Sequence, residues 1–177
     1  MCTLEDFLAM LNEFTVLECT DPTPSMCPRR CLERGRGHVW DLTACLAWFT
    51  GQTPGLFRHP KLWCAVANEL RVHTWLTVRD ETGHGLWLEP AGQLRGLHPF
   101  QDEPTMIIDA VKLLGRCWGV ADVTVYRYTC APFNLTPAQM VDWMTTNGRP
   151  VHGCRPAVVG ERGSPAWLTT MLRTPCM

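Results

Sequence analysis

The sequence predicts an α+β domain in which N-terminal helices pack on a small antiparallel sheet. Three observations predict it. Apolar residues recur at helical spacing up to about Leu70. The period then shortens to two from Val72 onward, as in half-buried strands. A further helix is then interleaved with later strands, an order that suits segregated helices and an antiparallel sheet.

Residues 3–14 read as a helix. Thr3 can cap it, Asp6 stands at the third helical position, and Leu4, Phe7, Leu8, Leu11 and Phe14 share one face. Residues 19–38 read as a loop punctuated by Pro22, Pro24, Pro28, Gly35 and Gly37. A second helix opens at Asp41 and stops at Gly51, with Leu42, Cys45, Leu46 and Phe49 on its apolar stripe. After a loop over 52–60, Pro60 is placed to start a third helix carrying Leu62, Trp63, Val66 and Leu70.

Val72–Val78 and Gly85–Leu88 read as two strands, and Arg79–Gly83 as the turn between them. Asp102 or Glu103 before Pro104 marks a helix start, with Met106, Ile107, Ala110, Val111 and Leu114 continuing it. Val123–Tyr128 alternates like a strand. Thr136, Pro137 and Gln139 form a capping signature for a helix that Gly148 ends. Val151–Val159 is a last strand, and a short helical stretch lies between Ser164 and Met177.

A length of 177 residues suits one domain, residues 1–177, with a core over 1–100 and a C-terminal α/β extension over 101–177. Hydrophobic residues make up 46% of the chain, enough to build a core. The net charge of -1 gives no electrostatic reason to bind nucleic acid or an anionic membrane. No apolar run approaches the roughly 18 residues of a membrane span. The acidic start, with Glu5 and Asp6, is unlike an export signal, so a cytoplasmic location is expected. That location makes the 10 cysteines reduced thiols rather than a disulfide framework.

Chemistry concentrates around Cys45. A cysteine nucleophile acts as a thiolate, favoured near a helix N-terminus and beside a histidine that accepts its proton. Cys45 lies in the first turns of the helix opening at Asp41. His73 opens the first strand of the hairpin and Glu89-Pro90 closes the second, so cross-strand pairing can bring the two side chains together. Taken alone, Cys45 also reads as a small buried hydrophobe on an apolar stripe, and Trp75 and Trp87 as core aromatics.

The order of Cys45 on a helix, His73 on a strand and Glu89 after a second strand resembles the papain-like and transglutaminase-like cysteine enzymes. The tract His73, Trp75, Gly83, Gly85, Trp87 and Glu89-Pro90 is similar to the histidine hairpin of the transglutaminase-like branch. Small papain-like leader proteases of positive-strand RNA viruses share the same order. The resemblance covers roughly residues 40–100. It implies a papain-like arrangement and a cysteine peptidase, of the self-processing viral leader or accessory type, acting on a polypeptide substrate without a cofactor. Cys45 would be the nucleophile, His73 the general base and Glu89 its orienting group. His98, in Gly96-Leu97-His98-Pro99-Phe100, is a rival base and resembles a histidine tract of tymovirus-type proteases. His84 in the turn, and the pair Cys117 with His152, are further combinations.

Two alternatives belong to other classes. Cys19, Cys27, Cys31 and His38 are four N/S donors in one loop, a set that could hold a structural zinc. Cys130, His152, Cys154 and Cys176 form a more dispersed set of the same kind. A non-catalytic protein-interaction module, with a protein partner met by tryptophans and proline-rich loops, is the second functional expectation.

Overall fold

The computed structural model describes residues 3–53, 55–68, 71–92 and 95–152. Its elements in chain order are α1 (Leu4–Asn12), β1 (Thr15–Leu17), α2 (Pro28–Arg34), β2 (Arg36–His38), α3 (Val39–Gly51), β3 (Phe57–Asn68), β4 (Arg71–Asp80), β5 (Gly85–Glu89), β6 (Gly96–Phe100), α4 (Glu103–Trp118), β7 (Thr124–Tyr128), α5 (Pro137–Asn147) and β8 (Arg149–His152). The class is α+β. One antiparallel sheet of six strands, ordered β6-β5-β4-β3-β7-β8, forms the middle layer. A short parallel pair, β1 with β2, stands apart from it.

Side chains alternate across a strand, so each strand feeds two cores. On the first face, Leu62, Cys64, Val72, Leu76, Val78, Leu88 and Tyr128 pack against α1, α2, α3 and α5. On the second, Trp63, Ala65, Trp75, Trp87 and Val125 pack against Met106, Ile107, Ala110 and Leu114 of α4. The helices therefore form two outer layers around the sheet. β7 and β8, from the stretch expected as an extension, are strands of the same sheet as β3 and β4.

The expected third helix is instead β3, the longest strand, with 12 residues. Leu62 to Ala67 is a continuous apolar run because both faces of this central strand are covered, and such a run carries no period-2 signal. Pro60 lies at a bulge in β3, between Arg58 and Lys61, rather than at a helix start. Residues 19–38 are not all loop. Pro28 occupies the first turn of α2, and Gly35 stops it with a left-handed φ of 60°. Residues 96–100 add an edge strand that their Gly and Pro content conceals in the sequence. Of the strand expected over 151–159, Val151 and His152 end β8 and the remainder lies outside the described residues, as does the tail from Ser164.

Both sheet edges carry a proline, Pro99 in β6 and Pro150 in β8. A proline has no N–H to offer an incoming strand, which blunts the edge. Gly85 faces Phe100 across the β5–β6 pair, and a Cβ there would lie 2.7 Å from the Phe100 ring. The ring thus covers the bare backbone, and any larger residue would force the ring to move.

Candidate functional site

The hairpin β4–β5 assembles a polar cluster on the sheet face that α4 covers. The register sets Leu76 opposite Leu88 and Thr77 opposite Trp87, so His73, Trp75, Trp87 and Glu89 share that face. His73 Nε2 lies 2.6 Å from Glu89 Oε2. The other carboxylate oxygen accepts from Trp87 Nε1 at 2.6 Å. Glu89 is 1% exposed, whereas the His73 side chain is 15% exposed. The His73 ring stacks on Trp75 at a centroid distance of 6.2 Å, and His98 packs edge-on against Trp87 at 6.2 Å. Glu89 thus holds the imidazole at one nitrogen, the geometry by which a carboxylate orients a histidine.

The nucleophile is elsewhere. Cys45 is fully buried in the core on the opposite face of the sheet, with Leu42 and Leu46. Parity decides the separation. Thr74, the neighbour of His73, is the residue of β4 that faces α3, and Thr43 Oγ1 meets Thr74 Oγ1 at 2.8 Å. His73 and His98 therefore stand on one side of the sheet and Cys45 on the other. The expected Cys45–His73 and Cys45–His98 pairs are not assembled. The α3 helix starts at Val39, two residues earlier than expected, which also places Cys45 deeper in the helix. Its Sγ contacts the Pro28 carbonyl oxygen at 3.7 Å. The Cys31 thiol beside it, together with burial, pushes the Cys45 thiol far up, so it is held as a neutral thiol. His84 is exposed in the β4–β5 turn, where Nδ1 meets Thr82 Oγ1 at 2.7 Å. Cys117 lies in the last turn of α4 and is exposed, and His152 ends β8.

The candidate zinc set is likewise dispersed. Cys27 and Cys31 face α3, and Cys31 Sγ reaches the Arg36 carbonyl at 3.5 Å. Cys19 packs instead toward Cys64 and the Val72 backbone, and its burial raises the thiol pKa. His38 caps α3, with its Nε2 2.9 Å from the Thr23 carbonyl oxygen. Among the described residues, no group of three or more His, Cys, Asp or Glu side chains is arranged to hold a metal ion. Cys154 and Cys176 of the second set lie outside the described residues.

Two residues at these places carry roles that sequence reasoning misses. Trp87 reads as a core aromatic, yet its N–H is the second donor to Glu89. Asp41 reads as a helix start, yet it is 1% exposed and holds two backbone amides, Met26 N–H at 2.9 Å and His38 N–H at 3.0 Å. Burial pushes its carboxyl up to about 7 against the pull of those two amides. The sequence signal for Asp41 is its position three residues after His38, the spacing of a capping box.

Thiol reactivity should follow this geometry. With a small alkylating reagent on the native protein, exposed Cys117 should react at least about 100-fold faster than Cys31, Cys45 or Cys64, each of which needs local opening. Peptide mapping after partial alkylation assigns each thiol. Cys45 modified first would reinstate it as an activated nucleophile.

Comparison with known proteins finds no matching family model, no matching curated protein and no matching solved structure. No helix among the described residues is long and apolar enough to cross a membrane.

Proposed function

We propose that this chain is a non-catalytic protein-interaction module. The observation that carries the reading is the division of the expected catalytic groups between two sheet faces, with Cys45 sealed at 0% exposure. A second observation supports a place where a partner could meet the chain. Trp48 on α3 is 44% exposed and Leu56, just beyond its end, is 47% exposed. Between α3 and β3 runs a groove of about 310 Å³ lined by Thr50, Gly51, Phe57, Pro60 and Val78, with Arg58 and His59 at its side. Trp48 and Leu56 flank in sequence the groove-lining Thr50, Gly51 and Phe57, and exposed large apolar side chains near a groove suit a binding hot spot. Trp40, Trp63, Trp75 and Trp87, by contrast, are buried and serve the cores rather than a surface.

The experiment compares three full-length chains: wild type, Cys45→Ala, and Trp48→Ala with Leu56→Ser. Partners captured by the wild type are purified and their affinity is measured directly. The reading expects a saturable complex that Cys45→Ala keeps and the double variant weakens at least about tenfold, a loss of roughly 1.4 kcal/mol. Peptide-bond cleavage by the wild type that Cys45→Ala abolishes would replace this reading with the cysteine peptidase.

A further inference from the structure

We propose that the notch beside the His59-Pro60 bulge of β3 is an oxyanion-binding site, taking a phosphate monoester or carboxylate carried by a ligand. This inference stands on residues outside the His73–Glu89 cluster and does not depend on a partner docking at Trp48.

The first support is an arrangement of charge that the fold alone does not favour. In the β3–β4 ladder Arg58 is the direct cross-strand partner of Arg79. Like charges directly opposite on an antiparallel pair repel. Neither the Arg58 nor the His59 side chain has a hydrogen-bond or ion-pair partner among the described residues. Arg79 uses Nη1 on the Gly83 carbonyl oxygen at 2.7 Å, which leaves most of its five donors available. The nearby Asp80 forms no ion pair with either arginine and faces His84 instead. Its Oδ1 accepts from the backbone N–H groups of Thr82 and His84, both at 2.9 Å, within the turn.

The second support is local backbone geometry. Between the Arg58–Arg79 and Lys61–Thr77 pairs β3 carries one residue more than β4. His59 takes a φ of 52°, a left-handed conformation unusual for a residue with a side chain, and Pro60 follows it. Bulges re-aim side chains at sheet margins, and strain of this kind collects at binding sites.

The third support is the cavity. It has a volume of about 110 Å³ and is lined by His59, Lys61, Thr77, Val78, Arg79, Phe100 and Glu103. Thr77 is 2% exposed and its Oγ1 accepts from Trp63 Nε1 at 2.8 Å. Its own O–H therefore remains to donate, a buried polar group facing the notch with a proton unused among the described residues. Lys61 is paired with Glu103, so an entering oxyanion would share Lys61 with that carboxylate while Arg79 and Thr77 supply new donors. Arginine suits this role because its planar fork matches the edge of a phosphate or carboxylate.

The test uses the full chain at low ionic strength. Inorganic phosphate is titrated by calorimetry and backbone NMR, with sodium chloride at matched ionic strength as the control. Phenyl phosphate and benzoate are run in parallel to separate a phosphoryl from a carboxylate source. The expected result is a saturable response at the bulge and the end of β4 that chloride does not reproduce. Tighter binding of phenyl phosphate assigns the phosphoryl group, and tighter binding of benzoate assigns the carboxylate. Arg79→Gln should weaken binding at least about tenfold through loss of a charge-assisted contact. Arg58→Gln, on an exposed side chain outside the notch lining, acts through its charge alone; at low ionic strength it should weaken binding about threefold and carries the test if the first variant misfolds. A chloride response equal to that of phosphate, or affinities unchanged in these variants, overturns the site.

Discussion

Replacing Glu89 by alanine should destabilise the fold by about 3 kcal/mol, because the change strands two groups that the carboxylate now holds. One is the Trp87 indole N–H, in a tryptophan that is 8% exposed; the other is His73 Nε2. Breaking a buried pair from one side costs more than the pair contributes in total, since the survivor keeps its desolvation without its partner. In a domain of this size the loss should lower the melting temperature by roughly 6–12 °C. Glu89→Gln keeps an acceptor for one of the two donors and should lose about half as much. Urea unfolding of wild type, Glu89→Ala, His73→Ala and the double variant gives the coupling between the pair. His73 is partly exposed and stacked on Trp75, so its own removal should cost less than that of Glu89. If Glu89→Ala unfolds at the same urea concentration as wild type, the carboxylate does not organise this face.

The same hairpin separates what a sequence can reveal from what it cannot. That His73 and Glu89 can meet follows from short-range pairing, because a tight turn at 81–84 leaves little choice of register. Which face of the sheet they occupy does not follow. That depends on which parity of β4 meets α3, and His73 and Thr74 are both compatible with either side. The two cores settle it together: Leu76 and Val78 complete the face under α3, and Trp75 stacks on Trp63 and packs at a tilt against Trp87 under α4. Helices with strong caps are legible. Thr3, Asp102 and Thr136 cap α1, α4 and α5, and each accepts from the residue three positions on. β3 reads as a helix because burial on both faces removes the alternation that identifies a strand. α2 is hidden by its charge, since Arg29, Arg30, Glu33 and Arg34 leave only Cys31 buried on a seven-residue helix.

Asp41 should make stability fall as pH rises from about 4 to about 7. Its carboxyl has an ordinary value of 3.8 and is pushed up to about 7 in the fold. Between those values the folded chain binds a proton that the unfolded chain has released, so the slope of unfolding free energy with pH is negative. The stabilising contribution is fully present below the unfolded value and is lost as pH passes through the folded one. Each pH unit between the two values is worth about 1.4 kcal/mol, so the change is at most about 4 kcal/mol across that window. Two titratable groups that feel Asp41, the Cys45 thiol of α3 and the Tyr128 phenol of β7, are both pushed up, Cys45 first by the Cys31 thiol and then by burial, and Tyr128 by burial, so neither ionises in that window. Asp41→Asn removes the titration but keeps only one acceptor, so either the Met26 or the His38 amide loses its partner, at about 1–3 kcal/mol. The absolute stability of that variant at pH 8 therefore combines relief of a buried charge with a lost hydrogen bond. The slope isolates the charge. Wild type should lose stability between pH 4 and 7, after subtraction of the variant's profile, and the difference should be flat above pH 8. A difference profile that is flat throughout, or that rises with pH, would mean the two amides outweigh burial and Asp41 is held as an ordinary carboxylate.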